Sequence, residues 1–310
     1  MSWPETKVES FEDFVHHLSG AMPSTSSGNQ LYWFRGQKSS GWPLESSLAR
    51  CLRTLRISGN AALGVETEAL SVFKSQAHLF VRQELLAKVF TTPCWWAVMQ
   101  HHGAPTRLLD WSRSPYVASY FAVQWSENES PGVVWAFCKN ILSQKLAATV
   151  GQPPGFDEKT APVWYDKKLR QLNGKEIIMP LEFSYITSER IVAQQGCFTM
   201  CFRVDAGHDC LIGQVLPKYV RKFIIPHKLK PEFLLRLREM NIAGSTLFPG
   251  IDGLGQSVRE LVDLRAHYPM ETVTGSTIHP HATVPPRRTS AKMGTESVNA
   301  RNGGASDTSS

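Results

Sequence analysis

The 310-residue sequence contains no apolar run approaching the roughly 18 residues that a membrane-spanning helix needs, so no such span is expected. Its first residues, Met1-Ser2-Trp3-Pro4-Glu5, lack the charged-then-apolar pattern of a secretory signal, and a cytoplasmic location is the expectation. Neither G-x-x-x-x-G-K-[ST] nor G-x-G-x-x-G occurs, which leaves a P-loop and a Rossmann cofactor site without support. H-E-x-x-H and G-x-S-x-G are missing too. The six cysteines, Cys51, Cys94, Cys138, Cys197, Cys201 and Cys210, form no C-x-x-C pair, so free, mostly buried thiols are expected and a metal site is not.

What is present is a globular composition, 42% apolar, with a modest net charge of +6. The segment from Pro285 to Ser310 carries two of those charges and leaves about +4 for the body, a pointer to small anionic ligands that a solvated surface explains equally well. Amphipathic spacing predicts helices over Val8–Leu18, Val65–Phe90, Leu142–Ala148, Lys230–Met240 and about Ser257–Ala266. The long one is expected to pack behind the site as scaffold. Strands are expected at Leu31–Gly36, Gly132–Cys138, Ile177–Phe183, Cys197–Val204 and Val220–Ile225, and loops at Ser24–Asn29 and Gly151–Pro162. This pattern implies α+β architecture: a mixed sheet with helices packed around it. Residues 1–30 read as a helix and lead-in, 31–267 as the main domain and 268–310 as a disordered tail, in which His279 and His281 read as incidental.

The most informative stretch runs from Trp95 to Val123 and reads as a helix, a polar turn and a second helix. Gly103 and Pro105 stop the first helix after His102; Ser114 caps the second, with Pro115 at its first position. Gln100, His101, His102, Thr106, Arg107, Asp110 and Trp111 crowd the connection, more titratable chemistry than a structural link needs. Upstream, Arg35 ends an aromatic strand beside Gly36 and Gln37, where a planar guanidinium can grip phosphate or pair with a carboxylate such as Asp110. Arg50 is either a second phosphate contact or a solvated residue at a helix end.

These blocks resemble the bacterial FRG domain, named after a Phe-Arg-Gly motif. Phe34-Arg35-Gly36-Gln37, Trp42 to Arg50, Gln100-His101-His102-Gly103 through Ala122, Gln195 to Thr199 and Leu247 to Leu254 occur in the family's order. The last block departs from it at Gly250, where an acidic residue is usual, so no metal or charge role is expected there. The resemblance leaves the reaction open, with a role in defence among its implications.

Phe34-Arg35-Gly36 is also similar to the strand that holds NAD in ADP-ribosyltransferases. That likeness implies binding of a nucleotide such as NAD, with ADP-ribosyltransferase or NAD-glycohydrolase chemistry. Ser112, Ser119 or Tyr120 would then lie beside the nicotinamide. Gln194-Gln195-Gly196 stands where that fold's closing glutamate is expected, so Gln195 would orient a ribose hydroxyl without supplying charge; Glu182 and Glu189 are nearby carboxylates. A second reading makes His101 or His102 an acid-base group oriented by Asp110, with Arg107 stabilising a phosphoester; the alternative for Asp110 is an ion pair with Arg107 or Arg35. A third is a non-enzymatic nucleotide or partner sensor. Nucleic acid enters only if Trp33, Trp42, Trp95, Trp96 and Trp111 stack bases rather than fill the core.

Overall fold

A segment such as Gly132–Cys138, apolar at every position, is stable only where both of its faces are covered. The computed structural model describes residues 3–21, 31–124, 129–153, 159–182 and 188–268. Among the described residues seven strands are formed: β1 (Glu5–Lys7), β2 (Tyr32–Gln37), β3 (Leu108–Ser112), β4 (Gly132–Cys138), β5 (Ile178–Leu181), β6 (Gly196–Cys201) and β7 (Val220–Ile225). They lie in the order β1-β7-β4-β2-β3-β6-β5, so β4 is interior and buried throughout. The β1 and β7 strands run parallel and every other pair antiparallel, a mixed sheet as expected.

Helices cover both faces. They are α1 (Phe11–Ala21), α2 (Ser47–Leu55), α3 (Gly59–Ala77), α4 (Gln83–Leu86), α5 (Thr92–His101), α6 (Pro115–Val123) and α7 (Lys139–Val150). After these come α8 (Thr160–Leu172), α9 (Glu189–Ala193), α10 (His208–Val215), α11 (Lys230–Glu239), α12 (Gly244–Leu247) and α13 (Ile251–His267). Along β4, Val133, Trp135 and Phe137 enter one core with α5, α7, α8 and α10, while Val134, Ala136 and Cys138 enter another with α1, α6 and α11. None of the described helices is long and apolar enough to cross a membrane.

Where local signals are strong, the expected elements form. Ser114 Oγ accepts from the Val117 amide at 3.3 Å at the start of α6, and Thr91 Oγ1 caps α5 from the Cys94 amide at 3.2 Å. Pro231 sits in the first turn of α11, and Asn241 beyond its end takes the left-handed conformation at φ 60°.

Three expectations need correction. The connection inside Trp95–Val123 is not a turn: it contains β3, paired with β6 from Leu108–Met200 to Ser112–Gly196. The helix from Val65 to Phe90 breaks after Ala77, and Val72 and Phe80 are 53% and 82% exposed. Fully buried along α3 are Ala62, Ala77 and the carboxylate of Glu66, while Ala69, Leu70 and Phe73 pack half-buried against the main core. The end of the loop at 151–162 already belongs to α8, anchored by buried Ala161 and Tyr165. The tryptophans mostly fill the core, the more frequent of the two readings given for them: Trp33, Trp96 and Trp111 are buried, and only Trp42 among the five is well exposed. The loop over 24–29, residues 154–158 and the tail from Pro269 onward lie outside the described residues.

The α6 helix presses directly on β2. A Cβ at Gly36 would overlap the Ala118 carbonyl oxygen and crowd the Ala122 amide, so the glycine is required by helix-on-strand packing rather than by a ligand. Gly36→Ala is expected to lose about 1–3 kcal/mol or more, the cost of overpacking against backbone, read as a lowered urea midpoint with an unchanged slope.

Candidate functional site

Strands β2 and β3 share a single register pair, Phe34 with Ser112, although β2 pairs with β4 along its whole length. A carbonyl on β3 that lacks a ladder partner must be satisfied by a side chain or water. Arg35 does this: its Nη1 donates to the Asp110 carbonyl oxygen at 2.7 Å, and the same nitrogen lies 3.8 Å from Asp110 Oδ2. Arg35 Nε is buried without a hydrogen-bond partner. Burial lowers the Arg35 pKa, Asp110 opposes that shift and Arg50 adds to it, and the guanidinium stays charged.

Beside this contact lies a cleft of about 260 Å³. Arg35 and Gly36 line it from β2, Asp110, Trp111 and Ser112 from β3, and Gln100 and His101 from α5. Phe121 of α6 and Phe198 of β6 supply aromatic walls, and α9 adds Arg190, Ile191 and Gln194. Asp110 is the one carboxylate among the described lining residues, set against two arginines, so the cleft carries net positive charge. His101 is held below its ordinary pKa, first by burial and then by His102 and Arg190, so near neutral pH it is a neutral imidazole able to accept a proton. Among the described residues no group of three or more His, Cys, Asp or Glu could hold a metal ion.

Of the residues expected at a site, Arg35, Gly36, Gln100, His101, Asp110 and Ser112 converge here. Two of these are committed in part to structure. Gln100 Oε1 accepts from Thr106 Oγ1, and Ser112 Oγ donates to the Gln194 carbonyl at 2.8 Å while accepting from the Ser114 amide at 3.0 Å.

The others lie elsewhere. Arg107 is buried in a two-pronged ion pair with Glu66, donating Nε to Oε1 at 2.6 Å, and stacks 4.7 Å over the Trp96 ring. Its Nη1 also reaches the carbonyls of Cys201 and Phe202, which leaves it no reach into the cleft. Gln37 faces away, donating to the Pro43 carbonyl and accepting from Trp135 Nε1. Thr106 is buried between Gln100 and Ser47. Tyr120 is buried, donating to Glu260 at 2.6 Å and so tying α6 to α13. Arg50 is exposed outside the cleft, and His102 borders a separate apolar hollow along α3. Gln195 turns at φ 49° and receives the Arg113 amide on its carbonyl; its neighbour Gln194 takes the place in the cleft wall. Glu182 pairs with Arg113 and Lys139, and Glu189 is exposed.

Sequence reasoning missed Arg190, and within Gln194-Gln195 it chose Gln195, because α9 is five residues long, too short for periodicity; the cap of Ser188, accepting from the Ile191 amide at 3.2 Å, was its one signal. It also missed a buried chain behind the cleft. Trp111 Nε1 donates to Thr199 Oγ1 at 2.8 Å, and that hydroxyl lies 2.8 Å from His208 Nδ1. Burial, aided by Arg35, holds the His208 pKa down to about 3.

Two stability measurements check these assignments. Removing one member of a buried ion pair leaves the other charge uncompensated, so Glu66→Ala is expected to cost about 3–5 kcal/mol in chemical denaturation. His208 binds a proton in the unfolded chain from about pH 6.5 downward but in the folded one only near pH 3. Its contribution is therefore full above pH 6.5 and lost progressively between 6.5 and 3. His208→Gln is expected to flatten the acid limb of stability against pH by up to about 1.4 kcal/mol per pH unit in that window.

No curated protein and no solved structure matches the chain. The FRG domain model matches residues 30–130, a span holding Arg35, Gln100, His101, Asp110 and Ser112 but not Arg190, Gln194 or Phe198. The chain is an FRG domain-containing protein.

Proposed function

We propose that the cleft binds a nucleotide such as NAD and cleaves its nicotinamide N-glycosidic bond, as an NAD glycohydrolase or ADP-ribosyltransferase. The observation that carries this reading is the convergence of Arg35, Arg190, His101 and Asp110 in one cleft that Phe121 and Phe198 also line. Two guanidiniums suit phosphate oxygens, and flat apolar walls suit a base or nicotinamide ring. At about 260 Å³ the cleft falls just under the range of roughly 300–1,000 Å³ for drug-sized sites. It therefore takes one half of a dinucleotide, with the other half lying outside its mouth.

In this reading Asp110 faces the anomeric carbon and stabilises the oxocarbenium-like charge that develops there. The C–N bond breaks with its electron pair leaving on nicotinamide. A water or acceptor hydroxyl attacks the carbon and passes its proton to neutral His101. The phosphoester hydrolase alternative is weaker, because Arg107, its anion-stabilising group, is consumed by Glu66.

NAD is expected to raise the melting temperature and to release nicotinamide. Arg190 belongs to α9 rather than to the sheet, and Arg190→Ala, compared with the native protein by melting temperature without NAD, is expected to lose most of the thermal shift that NAD gives. Asp110→Asn is expected to keep binding and lower the release rate by about 10²–10³. Absence of both shift and release with NAD sinks the reading; a shift without release points to a sensor.

A further inference from the structure

A cleft that admits one half of a dinucleotide leaves the other half, and the phosphate attached to it, over the surface at its mouth. That phosphate is a fixed anion, and a nearby cation with free donors is what can single it out. The arginines around the cleft differ in how much of their donor set is already used. Arg35 donates Nη1 to the Asp110 carbonyl, and Arg190 lies 5.0 Å over the Phe248 ring. On α2, Arg53 is held by Glu45, with Nε and Nη2 donating to Oε2 at 3.2 and 3.1 Å.

Arg50 stands one turn before Arg53 and is exposed, and among the described residues its guanidinium has no hydrogen-bond or ion-pair partner. Its helix is nevertheless fixed to the cleft wall. Leu48, Ala49 and Leu52 turn to the core, while Ser47, three residues before Arg50 and on the same side of α2, accepts on Oγ from the Thr106 amide at 3.1 Å. The Leu48 amide donates to the Thr106 carbonyl at 3.1 Å, and Thr106 Oγ1 donates to Gln100, which lines the cleft. The Arg50 charge is near enough to Arg35 to add to the lowering of its pKa. Helix α9 is attached at the Ser112 end of β3 and α2 at Thr106, just before its other end, with Arg35 at Asp110 between them. The three arginines therefore come from elements attached in sequence along β3, and Arg190 and Arg35 line the cleft while Arg50 does not.

On the nucleotide-binding reading of the cleft, we infer that Arg50 binds the phosphate of the half that stays outside, and so makes the site select a dinucleotide over a mononucleotide. A planar fork with its donors open suits two phosphate oxygens at once. Exposure makes the contact sensitive to salt.

Isothermal titration of the full chain with NAD and with nicotinamide mononucleotide is expected to show tighter binding of NAD. Arg50→Ala is expected to weaken NAD by about tenfold, the order of one charge-assisted contact, and to leave the mononucleotide affinity as it was. Arg50→Lys keeps the charge without the fork and is expected to fall between the two. Added salt is expected to shrink the NAD preference of the native protein more than that of Arg50→Ala. NAD bound as tightly by Arg50→Ala as by the native protein overturns the inference and leaves the nucleotide reading standing. An equal loss for both ligands does the same, because it marks a field acting through Arg35 rather than a contact with the outer phosphate. A native chain that binds neither ligand overturns the nucleotide reading, and this inference with it.

Discussion

The molecule turns on one contact, the Arg35 guanidinium reaching across the gap between β2 and β3 to the Asp110 carbonyl. A sheet that continued its ladder there would have no cleft. A sheet that opened without a substitute donor would leave a strand carbonyl unsatisfied, at a cost of about 1–3 kcal/mol. A side chain from the neighbouring strand resolves this conflict, because it satisfies the carbonyl while leaving the strands apart. The same group then presents positive charge to the opening it maintains, and so structure and ligand electrostatics draw on one residue.

Arg107 has a parallel composition and a different fate. Both arginines sit in strand-rich surroundings next to aromatic residues, yet Arg107 meets the Glu66 carboxylate and two carbonyls in a buried pocket. A buried guanidinium needs compensation for most of its donors, and α3 supplies it by turning a carboxylate inward where apolar side chains were expected. The helix can then leave Val72 in solvent, held to the body by that ion pair together with Ala69, Leu70 and Phe73.

These two arginines also show what was legible beforehand. Local signals carried far: uninterrupted apolar β4, the cap Ser114, and the Pro231 and Asn241 boundaries of α11 act through neighbours in sequence, and the elements formed where they pointed. Elements held by distant partners stayed hidden. Strand β3 has five residues, three of them buried and apolar, but its identity depends on β6 some 90 residues later. The three-residue β1 exists because β7 offers an edge. The site was half visible for the same reason: Arg35, His101 and Asp110 announced themselves as chemistry, while the roles of Arg107, Thr106 and Tyr120 depended on Glu66, Ser47 and Glu260, which no spacing rule links to them.

The wall carrying Arg190 shows how far this dependence extends. Helix α9 is too short to hold its own shape, and it is suspended from both sides. Ser112 Oγ and the Arg113 amide bind the Gln194 and Gln195 carbonyls from β3. From the other side, Gln194 Nε2 donates to the Leu247 carbonyl, and the Arg190 guanidinium lies 5.0 Å over the Phe248 ring. Residues 247 and 248 are fixed in turn by the close packing of Gly253 in α13. The second positive charge of the cleft is therefore positioned by the C-terminal helices, more than 100 residues past the end of the matched span. Residues 30–130 alone would carry Arg35, His101 and Asp110 but leave their cleft open on the side where Arg190 and Gln194 stand.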